Sequence, residues 1–237
     1  PRNSGPQFRY DIGKPWMYGS LIAKFDFPIY KTEATIKYEQ DSIVEAFEPY
    51  YNYDDAVEKE QVAKFLAKYK DGIPGVTADY VSLIADRLHR LYQAGIMNAP
   101  EYSDISRDTL HMVRVVNGKN AANIEIMCLY STMTAYEQLF SDPKIAAQKQ
   151  ALQRCNLNEY IQPNLKYDEE RSEAEISDLL STIPLASGMV LSGQKIIDRG
   201  EIVDDYTYRV LNSFEKETKR RSASVAAVPS TIAGQVL

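Results

Sequence analysis

The sequence predicts an α+β fold, mostly helical, with short β-hairpins and a small antiparallel sheet. Three observations carry that expectation. Apolar residues recur at three- and four-residue spacing along several stretches, as on a helix with one buried face. Short runs rich in β-branched and aromatic residues, punctuated by Gly, Asn and Pro, read as strands and turns. With 237 residues, 44% of them hydrophobic and 25% charged, the chain has enough apolar surface for a core without a disulfide framework or a structural metal.

The first thirty residues are aromatic: Phe8, Tyr10, Trp16 and Tyr18 precede an alternating segment with Phe25, Phe27 and Ile29. Pro28 within that segment confines it to an edge strand. Three helices follow. Ile36, Ile43, Val44 and Phe47 form the apolar face of the first, Val62, Phe65, Leu66 and Tyr69 that of the second, and Val81, Ile84, Leu88 and Leu91 that of the third. Gly72, Pro74 and Gly75 separate the second from the third, and Gly95 closes the third as a C-cap. Two strand-like runs, 112–116 and 124–130, flank Asn117-Gly118, which predicts a hairpin with a long loop through Lys119 to Asn123. Thr134 with Glu137 reads as a capping box, and Pro143 as the start of a further helix. Another helix carries Ile176, Leu179, Leu180 and Ile183. Two strands with glycine turns, 188–193 and 195–203, then lead into a last helix carrying Tyr206, Val210, Leu211 and Phe214.

One pattern occurs twice. Phe47-Glu-Pro-Tyr-Tyr-Asn-Tyr53-Asp54 returns as Ile161-Gln-Pro-Asn-Leu-Lys-Tyr167-Asp168, each copy leading into a charged helical start. Its physical content is a helix exit forced by proline, an extended crossing, and an aspartate that caps the next helix. Duplication and convergent turn chemistry explain it equally well. If it is duplication, residues 1–221 form one domain of two pseudo-repeated halves, about 1–109 and 110–221, followed by an uncharged tail over 222–237.

Chemistry is sparse. A net charge of −6 argues against a nucleic-acid partner, since phosphate affinity comes from clustered Lys and Arg. The one dense basic run, Lys216 to Arg221, reads as a solvated face at a helix end. His89 and His111 are 22 residues apart, neither is followed by Asp, and no P-loop, Gly-x-Ser-x-Gly or Gly-x-Gly-x-x-Gly motif occurs. Catalytic residues, metal ligands and cofactors are therefore expected to be none. Asp54-Asp55, Glu169-Glu170 and Asp204-Asp205 fall at helix starts, where negative charge is favourable. Cys128 and Cys155 read as two buried thiols or as one disulfide. The oddity is tyrosine, 17 residues of 237. The groups Tyr50, Tyr51, Tyr53 and Trp16, Tyr18 fit either a half-buried core or a ligand groove.

Gly13-Lys-Pro-Trp16, the segment from Leu21 to Lys31, the two Pro-to-Asp copies and the run from Val190 to Val203 occur in an order that resembles the extracytoplasmic domain of the seven-transmembrane-receptor HD phosphohydrolase family, PgpH-like and of Bacteroidetes type. The resemblance implies a non-catalytic input or sensor domain on the periplasmic side of the inner membrane. It would modulate a cytoplasmic HD domain that hydrolyses cyclic di-AMP. The implied partners are the protein's own transmembrane helices, that HD domain, and an unknown periplasmic small molecule or protein. A constitutive structural or partner-docking module without a ligand is the alternative. Because the 188–203 strands feed the last helix, Arg199 and Glu201 are the candidate coupling segment, while the ligand-binding residues are unknown.

The chain alone is expected to show no hydrolysis of cyclic dinucleotides, since it lacks the His-Asp ligands that activate water at such sites. Metal-dependent turnover that survives rigorous purification would overturn this.

Overall fold

Side chains mark helix starts by accepting a hydrogen bond from a backbone N–H that the helix leaves free. Asp54 accepts from Ala56 (3.1 Å), Ser131 from Thr134 (3.0 Å), Asp142 from Lys144 (2.9 Å), Asp168 from Arg171 (3.0 Å) and Asp204 from Thr207 (2.7 Å). The structure, a computed structural model, describes residues 7–107 and 110–226. In chain order it contains β1 (Leu21–Ile22), β2 (Phe27–Tyr30), α1 (Glu33–Ala46), β3 (Tyr50–Tyr53), α2 (Asp55–Lys68), α3 (Asp79–Ala94), β4 (Ile96–Met97), α4 (Ala99–Arg107), β5 (Met112–Asn117), β6 (Asn120–Glu125), β7 (Tyr130–Ser131), α5 (Thr132–Ser141), α6 (Pro143–Ala147), α7 (Lys149–Gln153), β8 (Leu165–Tyr167), α8 (Glu169–Ser181), β9 (Ala186–Val190), β10 (Lys195–Ile197) and α9 (Asp205–Ala226). Helix exceeds strand, and the class is α+β as the sequence predicts.

The chain forms two compact units: unit 1 from Pro1–Asp41 and Ser181–Leu237, unit 2 from Ser42–Leu180. They do not follow a boundary near residue 109, because the N-terminal strands take their partners from the C-terminal region. In unit 1, β1 pairs antiparallel with β10 and β2 with β9. The two strands expected over 188–203 are thus present as β9 and β10, each paired with a strand from the N-terminal region. Trp16 is tied in by its N–H to Glu201 O (2.8 Å), while Gly200 N–H donates to Trp16 O (2.8 Å). Helix α9 lays Val210 and Phe214 on Phe27, Ile29 and Val190, and Leu211 on Trp16, Ile197 and Val203. Full burial of each such side chain contributes about 1.5–3 kcal/mol.

The basic residues of the run, Lys216, Lys219, Arg220 and Arg221, are exposed as expected, but α9 continues past them to Ala226, and the acidic residue among them turns inward. Glu217 is 2% exposed and pairs with Arg220, whose hydrogen bond holds its carboxyl below the usual range. Tyr30 donates to the same carboxylate (3.3 Å), Lys216 stands 4.4 Å over the Tyr30 ring, and Arg221 stands 4.1 Å over Phe25.

Unit 2 has a helical core, with Phe65, Ile84, Leu88, Tyr92, Leu139, Ile145 and Leu152 fully buried, and a sheet of order β6-β5-β3-β8. The sheet is mixed: β3 runs parallel to β5 and antiparallel to β8. The parallel pair follows from the helices between β3 and β5, since parallel neighbours need a long crossover. The β5–β6 hairpin is tighter than expected. Asn117 pairs with Asn120, so the loop is Gly118-Lys119, with Gly118 at φ +60° in the first loop position, which favours glycine. Residues 126–128 leave the strand in a single 3₁₀ turn, exposing Cys128, while Cys155 is buried; both are free thiols. The capping box opens α5 one turn earlier than expected, with Ser131 as N-cap and Thr134 reciprocating. Along α1, Ile36 and Ile43 are half-buried and Val44 is exposed, so its expected apolar face is not a core face.

Gly95 ends α3 at φ +107°, donating to Leu91 O (3.1 Å). A Cβ there would lie 2.7 Å from Leu165 Cδ1, and Leu165 is itself buried. Gly95→Ala is expected to cost about 2–4 kcal/mol in chemical denaturation through backbone strain and overpacking. Gly19→Ala, with open space at its Cβ, is expected to be near neutral.

Candidate functional site

The two copies of the repeated pattern become β3 and β8, and they pair with each other. Tyr51 faces Tyr167, Asn52 faces Lys166 and Tyr53 faces Leu165. The bonds around them come in matched pairs. Asp54 N–H donates to Asn164 O and Asp168 N–H to Tyr50 O, both at 2.8 Å. Asn52 Nδ2 donates to Asp168 (2.9 Å), and Lys166 Nζ, at the corresponding place, to Asp54 (3.2 Å). The two segments are thus related by a local pseudo-two-fold axis at the Asn52–Lys166 pair, and each ends in an aspartate-capped helix start. Asn164, fully buried, anchors the second crossing: its Oδ1 accepts from Ile96 N–H (2.7 Å) and its Nδ2 donates to Tyr92 O (2.9 Å).

Alternation along β3 sends its side chains to opposite faces. On one face, Arg114 donates to the Tyr50 hydroxyl (2.9 Å) and to Glu175 (2.8 Å) and approaches Glu48 (3.3 Å). Arg171 lies 5.7 Å from the Tyr50 ring centre. This face is an ion-paired seam. On the other face Tyr51 and Tyr167 form a tilted ring pair with centroids 5.7 Å apart. They line a groove of about 760 Å³ with Val44, Phe47, Pro49, Ile105 and Leu110, and with the charged side chains Glu45, Glu101, Asp104 and Arg107.

Tyr51 is 3% exposed, and its hydroxyl, which makes no hydrogen bond among the described residues, is accessible from the groove. Burial raises its pKa well above the ordinary tyrosine range, and the Glu101 carboxylate and the Tyr167 hydroxyl push it further. The hydroxyl stays protonated and can both donate and accept. Among the described residues, Glu45, Glu101 and Asp104 have no ion pair or side-chain hydrogen bond, whereas Glu48, Glu58, Asp142, Asp168 and Glu175 of the same unit are all engaged.

The expected tyrosine group is divided. Tyr51 enters the groove, Tyr50 the ion-paired face, and Tyr53 a half-buried position donating to Tyr92 O (3.3 Å). Trp16 and Tyr18 belong to an aromatic cluster of unit 1 with Phe8, with ring centroids 4.9–5.1 Å apart. Arg199 and Glu201 sit in the turn after β10. Glu201 accepts from Asp198 N–H (2.9 Å) and pairs with Lys195 (3.2 Å), while Arg199 is exposed and makes no side-chain bond among the described residues. His89 pairs with Glu58, and His111 is exposed. Among the described residues no group of three or more His, Cys, Asp or Glu side chains is placed to hold a metal ion. Nor is any helix among them long and apolar enough to cross a membrane.

Sequence reasoning missed α4, which supplies Glu101, Asp104, Ile105 and Arg107. Its signal was present: Asn98 caps Glu101 N–H (2.9 Å), and Pro100 stands in the first turn.

Fold and site together define an α+β domain built on a self-paired strand repeat, with an open groove against one face of that repeat. The chain belongs to the 7TM-HD extracellular family, whose model matches residues 20–216, and is thus an extracytoplasmic domain of a seven-transmembrane HD receptor. The family implies attachment to transmembrane helices and an HD domain. No curated protein and no solved structure matches the chain.

Asp168 links the repeat pairing to a pH dependence. The Arg171 backbone N–H and then the Asn52 amide hold its carboxyl below the usual range. A folded-state pKa below the unfolded value of about 3.9 means the stabilisation is complete above that value and is lost as pH falls through the folded value. Asp168→Asn is therefore expected to lower stability by about 0.5–1 kcal/mol at pH 7, with the difference closing as the pH falls below the unfolded value in urea titrations.

Proposed function

We propose that this domain is the ligand-responsive input module of a membrane-bound HD phosphohydrolase. It lies on the periplasmic side of the inner membrane, and occupancy of the groove biases hydrolysis of cyclic di-AMP by the cytoplasmic HD domain. The observation that carries this reading is the groove itself: about 760 Å³, mainly apolar walls, and the Tyr51 hydroxyl, which makes no hydrogen bond among the described residues. Such a concavity with a few convergent polar groups is the usual form of a small-molecule site.

The chain path supports coupling. Val44 and Glu45, in the last turn of α1, line the groove, and Tyr167 lines it two residues before α8 begins. Those two helices are the covalent passages from unit 2 to unit 1, which contains both terminal segments. A ligand that favours one arrangement of these helix ends by about 1.4 kcal/mol over another changes the equilibrium tenfold. Within unit 1 the proposed route to α9 is the Arg199–Glu201 turn.

A ligand-free docking module is the second reading. What favours it is the outer side of β9 and its flanks, where Leu185, Met189 and Leu191 are 49–63% exposed.

In the full-length membrane protein, Ile105→Trp, which fills the groove, is expected to shift cyclic di-AMP hydrolysis severalfold with little change in melting temperature. Arg199→Ala is expected to alter the output without a stability cost, because the side chain has no partner to lose. Glu201→Ala, by contrast, should cost about 1 kcal/mol of stability through the lost hydrogen bonds. Wild-type hydrolysis in well-folded Ile105→Trp and Arg199→Ala proteins would favour the docking module.

A further inference from the structure

The geometry points to a small organic cation with an apolar body as the occupant of the groove. This inference deepens the input-module reading and rests on the groove being its binding site.

Three independent features of the groove agree. The first is charge. Its lining contributes three carboxylates, Glu45, Glu101 and Asp104, against one guanidinium, Arg107. These carboxylates make no ion pair among the described residues, so no cation of the protein neutralises them locally. Glu101 is half-buried, so a charge brought to it is less screened than at the open surface. A carboxylate or phosphate ligand would meet this excess of negative charge and be repelled.

The second feature is the Tyr51 hydroxyl. The Tyr51 side chain is almost wholly buried, and its hydroxyl, which makes no hydrogen bond among the described residues, remains accessible from the groove it lines. Here the hydroxyl is kept neutral and borders Glu101 and Tyr167 in the groove wall. Its oxygen can accept from an ammonium N–H while a second N–H of the same ammonium donates to Glu101.

The third is the wall. Phe47, Ile105, Leu110 and Tyr167 offer apolar surface for an alkyl or aryl body, and the faces of the Tyr51–Tyr167 pair are favourable to a cation. A volume of about 760 Å³ suits a small molecule. An inorganic cation would leave the apolar wall unused, and a neutral apolar ligand would leave the carboxylates and the hydroxyl unused.

The test uses the 237-residue chain and three probes that share one body: 4-phenylbutylamine, 4-phenylbutanol and 4-phenylbutyrate, titrated calorimetrically at low salt. The expected order is amine tighter than alcohol by about tenfold or more, with the acid weaker than the alcohol. Glu101→Gln is expected to bring the amine down to the alcohol's affinity while leaving the alcohol unchanged. Tyr51→Phe is expected to weaken the amine several-fold, and Ile105→Trp to abolish both. If Glu101→Gln loses stability in a melting control, Asp104→Asn, at an exposed position, is expected to weaken the amine by a smaller factor at unchanged melting temperature.

Equal affinity for amine and alcohol, preference for the acid, or no binding of any probe would overturn the inference. So would retention of the chain by phosphatidylethanolamine vesicles without binding of the free amine. The outcome separates from that of the input-module reading. Charge-selective amine binding together with unaltered HD output in Ile105→Trp would sustain this inference and sink that reading. Altered output without amine selectivity would do the reverse.

Discussion

The antiparallel contact between β3 and β8 is the constraint on which the rest of unit 2 depends. It brings together two segments more than a hundred residues apart and fixes the direction of both helices that follow, because each strand ends in the aspartate that caps the next helix. It also decides what the sheet's two faces become. With Tyr50 committed to Arg114 and Glu175, alternation delivers Tyr51 and Tyr167 side by side on the opposite face. A one-residue slip in this register would exchange the faces and erase both the ion-paired seam and the groove.

How much of this the sequence discloses depends on whether the cause is local. Helices α2, α3 and α9 were legible because their apolar periodicity and caps lie within the elements themselves, and Gly95 was legible because few residues other than glycine accept its backbone. The shared shape of the Pro49–Asp54 and Pro163–Asp168 segments was legible for the same reason. That they pair with each other was not, since nothing in either copy names its partner. The strands after residue 185 were legible as strands, but their partners were not: these are β2 and β1, far away in the chain. The groove depends on α4, whose nine residues carry a cap and a proline but only a weak apolar pattern, so Glu101 and Asp104 went unnoticed while the tyrosines drew attention.

Charge is handled differently in the two units. In unit 1, the Lys216–Arg221 run is absorbed: Glu217 turns inward, and the cations stack on Tyr30 and Phe25. In unit 2, three carboxylates without ion pairs among the described residues, Glu45, Glu101 and Asp104, line one concavity. Unpaired carboxylates spread over a surface need no explanation, because water solvates them well. Gathered in a concavity beside the Tyr51 hydroxyl, they mark the place where the domain leaves its polar chemistry unfinished.

The discontinuity of unit 1 has a consequence for the order of assembly. Ser187 meets Ile29 across 158 residues of chain, so β2 has no strand partner until nearly all of unit 2 has been made. At about 5–20 residues per second of synthesis, that interval is on the order of ten seconds or more. Unit 2, continuous in sequence, can close in that time, while Phe27 and Ile29, fully buried in the finished domain, wait with their edge open. Pro28 between them withholds one ladder donor from any competing strand, a safeguard suited to a segment that must stay unpaired so long.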